Sequence, residues 1–310
     1  MATEAASPLM GSLSDGSPKT VFDVLHEKHP HGRAADPDAI LDPVDSSQSF
    51  HPVLFDGLDA ALIKSVVMQI SGSAGPSGLD AHAWRHLCTA FGDASNDLCA
   101  AVSTFAHRIS TSYVNSKYLS AYCACRLIPL DKRPGVRPIG VGEVLRRIIG
   151  KAVMRIIRRD LQQAAGSSQL CAGQMGGCEA AVHAMKQIFD LPEVDGVLLV
   201  DAKNAFNELN RQVTLRNVEV LCPSLAPILI NTYRTDAFLF TGGRTIFSSE
   251  GTTQGDPLAM AMYTIGTLPL ISRLTGLVKQ CWYADDSAAG GKLSKLKQWW
   301  DLLSSSRKLF

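Results

Sequence analysis

Three carboxylates in the second half of the chain stand in otherwise apolar surroundings. Asp201 directly follows the apolar run Val197–Val200, and Asp285 and Asp286 are neighbours in the turn of a short apolar hairpin. Adjacent carboxylates repel one another, and a bound cation relieves that repulsion. Mg²⁺ prefers hard oxygen ligands, and a pair of such ions can hold the attacking and leaving oxygens of a phosphoryl transfer. The three residues are therefore candidate metal ligands for phosphoryl transfer, with ordinary turn formers as the alternative interpretation.

A basic segment precedes these carboxylates in the sequence. Residues 126–159 contain ten cations and two carboxylates, whereas the whole chain is nearly neutral with 30 cations and 29 carboxylates. The periodicity predicts a helix over residues 144–161, with apolar side chains on one side and a stripe of cations on the other. That stripe comprises Arg147, Lys151, Arg155 and Arg158. It fits a phosphate-lined partner, with a solvated helix face as the alternative.

The composition excludes several classes of protein. The apolar fraction of 46% and the charged fraction of 19% exclude a disordered or collagen-like chain. No apolar run approaches the ~18 residues that a membrane span needs, and the first residues lack the pattern of a secretory signal. The eight cysteines form neither C-x-x-C pairs nor a zinc pattern. We therefore expect reduced thiols in an intracellular protein without a membrane partner; nucleus and cytoplasm are not distinguished.

The elements that must position the carboxylates follow from apolar spacing and turn residues. Residues 1–50 are predicted to be a weakly ordered tail with one short helix near 21–26. Residues 51–190 are predicted to be a helical region that includes a hairpin around 131–135 and the basic helix. Residues 191–310 are predicted to contain a buried strand at 197–200, two hairpins and two helices. Because hairpins and helices do not alternate as βαβ units, we predict an α+β fold.

The segment Tyr283-Ala284-Asp285-Asp286 resembles the Y-x-D-D signature of reverse transcriptases. Four other segments resemble motifs of that family and occur in the family's order, over about residues 72–290. They are Gly75–Asp80 (the P-G-x-D element of non-LTR retrotransposon and group II intron-type enzymes), Arg126–Ile139 (the fingers hairpin), Asp201–Phe206 (D-x-x-x-A-[FY]) and Gln254–Leu258 (Q-G-x-P). Gln169–Ala180 is also similar to the turn before the helix that precedes the first catalytic strand. Five ordered motifs are a far more specific signal than any one of them.

The resemblance implies the architecture of a right-hand polymerase. Residues 51–190 would form the helical region and fingers with the basic helix, and residues 191–310 would form a ferredoxin-like palm that carries the Y-x-D-D hairpin. The family's thumb has no counterpart in the chain, so we expect a C-terminally truncated form. A palm without its last strand would leave an unpaired sheet edge.

The resemblance also implies an activity, RNA-directed DNA polymerisation by a retroelement protein. It would use an RNA template, a DNA or RNA primer, dNTPs and two Mg²⁺ ions, with Mn²⁺ as a substitute. The carboxylates Asp201, Asp285 and Asp286 would be catalytic and bind the metal ions. The implied nucleotide-binding residues are Lys132, Arg137, Ala205, Phe206, Gln254 and Gly255, with Phe206 as the steric gate against a 2′-hydroxyl. The implied primer- and template-binding residues are Tyr283, Arg147, Lys151, Arg155 and Arg158.

Three other functions stay open at the level of the sequence. An RNA-dependent RNA polymerase could use the same palm, and a catalytically inactive remnant could still bind nucleic acid. A two-metal nuclease would account for the carboxylates but not for Lys132, Arg137 and Phe206. For Phe206, plain core packing is the alternative to a steric gate.

Overall fold

The computed structural model describes residues 8–12, 18–43, 52–132 and 135–306. Helices and strands both contribute, which confirms the predicted α+β class. The described helices are α1 Val21–Glu27, α2 Ala60–Gln69, α3 Ala81–Leu87, α4 Asp93–Thr111, α5 Ser120–Cys123, α6 Val144–Ala165, α7 Gly177–Phe189, α8 Ala205–Glu208, α9 Arg211–Leu221, α10 Ala226–Tyr233, α11 Ala259–Leu274 and α12 Leu293–Ser306. The described strands are β1 Pro8–Ser12, β2 Pro18–Thr20, β3 Cys125–Asp131, β4 Val136–Gly142, β5 Gly196–Asp201, β6 Ala237–Thr241, β7 Arg244–Ser248, β8 Lys279–Tyr283 and β9 Asp286–Gly291.

The strands form two main sheets. One has four strands in the order β4-β3-β6-β7 and the other has three in the order β5-β9-β8, while β1 and β2 form a separate pair. The hairpins β3–β4, β6–β7 and β8–β9 are antiparallel, and the predictions of hairpins at these places are confirmed. In the four-stranded sheet β3 runs parallel to β6, so this sheet joins two hairpins that lie far apart in the sequence.

The largest hydrophobic core lies among the helices. On α6, Ile148, Ile149 and Ile157 are fully buried in this core, so the predicted apolar side of the basic helix is confirmed. The helix is longer than the predicted range of residues 144–161. It continues to Ala165, and Gly166 caps its C-terminal end.

Helix α11 connects this core to the three-stranded sheet. Met262 belongs to the helical core, whereas Ile271 belongs to a second core that includes Trp282 on β8 and Trp299 on α12. A helix that is apolar on all sides is buried on all sides, and α11 holds one face of the small sheet against the rest of the molecule.

Strand β5 is less buried than its composition predicted. Leu198 and Val200 pack against the second core, but Leu199 between them is 75% exposed. Successive side chains of a strand point to opposite faces, so only one face of this sheet is covered there. Within the described residues no strand pairs with the outer edge of β5.

The prediction of a weakly ordered tail is wrong for residues 18–43, although the short helix predicted within it is confirmed as α1. Thr20 and Asp23 form a capping box at its start, and Val21 and Leu25 are fully buried. Further along, the Leu41 N–H donates to the Asn217 side chain at 2.8 Å. The sequence could not reveal this docking, because the partner of Leu41 lies more than 170 residues away. The rest of the predicted tail lies largely outside the described residues.

Two composition-based expectations can be compared with the structure. All eight cysteines are free, and only Cys178 is exposed. In the part of the chain that the structure describes, no helix has both the length and the apolar character needed to cross a membrane.

Candidate active site

The hairpin β8–β9 brings together carboxylates from two distant parts of the sequence. In the antiparallel pairing of β5 with β9, Asp201 lies opposite Asp286, and the Ala202 N–H donates to the Asp285 carbonyl oxygen at 3.4 Å. Ala284 begins the turn with a φ of 53°, in the left-handed region that tight hairpin turns use. The structure therefore places the three predicted carboxylates at the same end of one sheet.

The electrostatics of this end of the sheet are dominated by carboxylates. Burial raises the pKa of the Asp285 carboxyl above its usual value, and the charges of Asp286 and Asp201 raise it further. The charge of Arg137 acts in the opposite direction. Because ionising Asp285 beside two like charges is unfavourable, a cation bound here would stabilise the ionised form.

The same residues were predicted to hold two Mg²⁺ ions. Among the described residues no group of three or more His, Cys, Asp and Glu side chains is arranged to hold a metal ion by itself. Mg²⁺ in phosphoryl-transfer sites is commonly held by one or two carboxylates together with substrate phosphates and water. The oxygen donors of Asp201 and Asp285, with Asp286 adjacent, fit that mode of binding. The metal-binding role of the three carboxylates stays a prediction.

The turn that carries Asp285 is braced from behind by Gln169. The Gln169 side chain accepts from the Ala284 N–H at 2.8 Å and donates to the Ala284 carbonyl at 3.1 Å. Next to it, the Leu170 N–H donates to the Trp282 carbonyl at 2.9 Å. Gln169 is fully buried. The segment Gln169–Ala180 was noted for its resemblance to a family motif, but the sequence did not reveal that its first residue pairs with the Y-x-D-D turn.

Two predicted phosphate-binding cations lie on the β3–β4 hairpin. Lys132 follows β3, and its N–H donates to the Gly135 carbonyl at 3.0 Å across the turn. Arg137 on β4 is exposed and lies close enough to Asp285 for its charge to lower the pKa of that carboxyl. The structure thus brings Arg137 of one sheet toward Asp285 of the other. Arg133, another cation of this turn, lies outside the described residues.

The predicted nucleotide-binding loop at Gln254 is attached to the same hairpin. The Gly140 N–H on β4 donates to the Gln254 carbonyl at 2.8 Å. Gly255 has a φ of +104°, and a Cβ there would lie 2.8 Å from the Gly140 carbonyl oxygen. A side chain at position 255 would therefore be strained and would collide with β4. The glycine lets the loop approach the hairpin closely.

A buried ion pair fixes this loop from the other side. Arg146 in the first turn of α6 pairs with Asp256, and both side chains are only 2% exposed. Arg146 also donates to the Cys123 carbonyl at 2.7 Å, while Asp256 accepts from the Leu258 N–H at 2.7 Å. Sequence reasoning counted Arg146 only as part of the basic segment, since nothing in the local sequence shows that its charge is buried.

The predicted steric gate, Phe206, is held by an aromatic stack. Its ring lies 4.5 Å from that of Tyr263 on α11, with the two planes 25° apart. Phe206 is half-buried at the start of α8, directly after Ala205, while Tyr263 is buried. Burial raises the pKa of Tyr263, and the Asp285 charge adds to the shift. Phe206 therefore stacks on a residue whose pKa the charge of Asp285 raises.

The predicted template-binding stripe on α6 is largely engaged within the chain. Arg147 donates to the Ser71 carbonyl at 3.1 Å, Arg155 to the Gln69 side chain at 2.6 Å, and Arg158 to the Gly173 carbonyl at 2.8 Å. Lys151 is exposed and has no such bond within the described residues. These arginines brace α6 against neighbouring segments, and their predicted contact with a template stays a prediction.

The predicted primer-contacting residue, Tyr283, is the last residue of β8 and is half-buried. Its ring lies against the start of α7, where a Cβ on Gly177 would be 3.3 Å from the Tyr283 Cε2 atom. This position directly precedes the turn that carries Asp285.

Comparison of the chain with protein-family models and with curated proteins finds no match.

Proposed function

We propose that this chain is an RNA-directed DNA polymerase that transfers nucleotides from dNTPs to a primer along an RNA template. The observation that carries the proposal is the placement of Asp201 opposite Asp286, with Asp285 in the adjoining turn. Carboxylates that are more than 80 positions apart in the sequence thus meet at one end of a sheet. Carboxylates brought together in this way support a role in metal-assisted phosphoryl transfer.

The fold around these carboxylates supports the same function. In the proposed enzyme, the three-stranded sheet with α11 and α12 would form the palm, and the β3–β4 hairpin with α6 would form the fingers. The Gln254 loop is bonded to this hairpin, and Phe206 stacks on Tyr263, whose pKa the charge of Asp285 raises. In the proposed enzyme, these contacts would arrange a nucleotide between hairpin, loop and carboxylates.

In this site Asp201 and Asp285, with Asp286 adjacent, would hold Mg²⁺. The bound ions would supply electrostatic stabilisation of the phosphate oxygens and of the primer hydroxyl.

The reaction would replace one phosphorus–oxygen bond with another. The primer 3′-hydroxyl oxygen bonds to the α-phosphorus of the dNTP, the bond to the β-phosphate breaks, and pyrophosphate leaves as the hydroxyl loses its proton. Lys132 and Arg137 would offset charge on the leaving phosphates, since an Arg fork can hold phosphate through two hydrogen bonds. Phe206 would contact the sugar where a ribonucleotide carries its 2′-hydroxyl and so select dNTPs.

Primer extension on an RNA template with dNTPs and Mg²⁺ tests the proposal. We expect the unaltered chain to extend the primer and Asp285→Asn to lose about 10²- to 10³-fold in rate, as removal of one transition-state stabilising group does. Asp301→Asn is the matched control, because Asp301 is an exposed carboxylate that bonds Lys297 on α12. Absence of extension, or equal extension by Asp285→Asn and the control, would contradict the proposal.

The choice of nucleotide is tested with the same assay. We expect the unaltered chain to prefer dNTPs and Phe206→Ala to accept NTPs, because the smaller side chain leaves room for a 2′-hydroxyl. A preference of the unaltered chain for NTPs would instead indicate an RNA-dependent RNA polymerase.

A further inference from the structure

Residues 18–28 connect the four-stranded sheet to the carboxylate end of the small sheet. Helix α1 packs on the four-stranded sheet through Val21, Phe22 and Leu25, in a small core that includes Leu127 on β3 and Leu239 on β6. The sequence pattern predicted the helix but not the surface that it covers.

The C-terminal end of α1 is fixed to the turn that follows Asp201. The Asn204 side chain donates to the Lys28 carbonyl at 3.0 Å, and Asn204 itself has a φ of 57° at the start of α8. It also donates to the Glu208 side chain at 3.1 Å. Lys28 is therefore bonded to a residue that lies three positions after Asp201, a predicted metal ligand. In the sequence, Lys28 and Asp201 are far apart.

Lys28 extends the cationic group on the β3–β4 hairpin. Its side chain is half-buried, and it is close enough to Lys132, Lys203 and Arg137 for their charges to oppose its own. Burial lowers the pKa of the Lys28 ammonium, and these three cations lower it further. In the described part of the chain no ion pair joins any of the four to a carboxylate.

An anion bound beside Lys28 would relieve its repulsion with these three cations. An anion that contacts several of them is multivalent, and the charge of Arg137 also acts on Asp285. A polyphosphate whose other end approaches the carboxylates has both the charge and the extended shape that this arrangement requires.

We propose that Lys28 contacts the β- and γ-phosphates of the incoming nucleoside triphosphate, together with Lys203 and the hairpin cations. This inference rests on the proposed function and assigns a substrate contact to the N-terminal segment. An ammonium group recognises phosphate as a compact point charge, so Lys28 contributes to binding of the triphosphate and to departure of pyrophosphate.

Lys28→Met tests the assignment, with Lys64→Met as the matched control. The bond from Asn204 uses the backbone carbonyl of Lys28, so the substitution removes the charge and keeps the anchor. Lys64 is an exposed lysine on α2 that bonds Asn96. We expect Lys28→Met to raise the KM for dNTP about tenfold or more, which is the usual loss for a charge-assisted hydrogen bond. Lys28→Arg, which keeps the positive charge, should have a KM close to that of the unaltered chain. The Kd for primer–template should stay unchanged.

A second readout does not depend on catalysis. Calorimetric binding of inorganic tripolyphosphate should weaken in Lys28→Met and stay unchanged in Lys64→Met. If the unaltered chain extends primers but Lys28→Met equals the control in both readouts, the inference is wrong and the proposed function stands. If Lys28→Met weakens primer–template binding instead, Lys28 contacts the nucleic-acid backbone and the inference is overturned. If no extension occurs but tripolyphosphate binding depends on Lys28, the proposed function fails and the phosphate site stands.

Discussion

At the scale of single residues, the carboxylates at the end of the small sheet repel one another. Burial raises the pKa of Asp285, and the charges of Asp286 and Asp201 raise it further. Active sites often carry such destabilising groups, because function requires an arrangement that stability alone would not select. Substitutions of two residues there test separate properties. Asp285 tests the repulsion between the carboxylates, and Gln169 tests the hydrogen bonds that hold the turn.

Asp285→Asn should stabilise the folded chain at neutral pH. An acid whose pKa is raised by folding lowers stability when it ionises, so the penalty is absent below its ordinary pKa and complete above the raised value. Urea midpoints of the two chains should therefore differ at pH 7 and converge on acidification. Mg²⁺ should raise the midpoint of the unaltered chain more than that of the variant, by preferential binding to the folded state. A variant less stable at pH 7 would contradict this account.

Gln169→Leu should weaken the turn that carries Asp285. The substitution leaves the N–H and carbonyl of Ala284 without their partner in a buried position, which costs about 1–3 kcal/mol of unfolding free energy. Gln174→Leu is the control, because among the described residues the Gln174 side chain donates to the Gly166 carbonyl alone, near the surface. Urea denaturation measures both. Equal losses of unfolding free energy in the two variants would show that the bonds from Gln169 do not stabilise the turn.

At the scale of elements, the site depends on contacts between segments that are not neighbours in the sequence. The start of α6, the strand β4 and the Gln254 loop are joined by the pair Arg146–Asp256 and by the bond from Gly140. The Tyr233 ring lies 5.4 Å from the Arg146 guanidinium and completes the buried surroundings of the pair.

The Arg146–Asp256 pair should behave as one unit. Asp256→Leu leaves a buried cation without its partner, which should lower the free energy of unfolding by about 3–5 kcal/mol. The double variant Arg146→Met with Asp256→Leu should lose much less than the sum of the two single losses, because it removes both charges. A double-mutant cycle in urea measures the coupling. Additive losses would mean that the two charges do not stabilise each other.

Docking of α1 should weaken as the pH falls. Burial lowers the pKa of His29 below 6.5, and the nearby charges of His26, Arg211 and Lys28 lower it further, although a hydrogen bond to the Leu25 carbonyl opposes the shift. A histidine whose pKa is lowered by folding supports the fold above its ordinary pKa, and the support is lost as pH falls through 6.5. Amide exchange of α1, corrected for intrinsic rates, should therefore be faster at pH 5.5 than at pH 7.5.

His29→Asn is the comparison for this effect, since an asparagine does not titrate in this range. Its α1 exchange should not change between the two pH values. Equal pH dependence in the variant and the unaltered chain would show that another group is responsible.

At the scale of the whole molecule, the local pattern predicted much of the site but little of its support. The turn at Asp285, the β3–β4 hairpin and the apolar side of α6 follow from residue types and spacing, and the structure confirms their local form. The roles of Gln169, Lys28 and the Arg146–Asp256 pair could not be predicted, because they arise only when distant segments meet. Such contacts depend on the tertiary fold, which periodicity does not describe.

The N-terminal segment illustrates this limit most clearly. Its composition resembles a tail, since it is rich in Ala, Ser, Pro and Asp, yet α1 covers the four-stranded sheet and residues 33–41 bond to residues of α9 and to Glu250. Polar side chains of α9 and Glu250 accept hydrogen bonds from the backbone of residues 33–41. Hydrogen bonds of this kind leave no periodic pattern in the sequence of either segment. The exposed Leu199 on β5 shows the opposite case, an apolar strand that is covered on one face only.

The central claim is that one set of carboxylates performs template-directed nucleotide transfer, and addition of a single nucleotide tests it most directly. Four RNA templates that differ only in the base after the primer would each be incubated with the chain, Mg²⁺ and one dNTP at a time. We predict that only the complementary dNTP is added to each template, with one pyrophosphate released per addition, and that Asp201→Asn abolishes both. Addition that ignores the template base, addition that survives Asp201→Asn, or no addition at all would contradict the account.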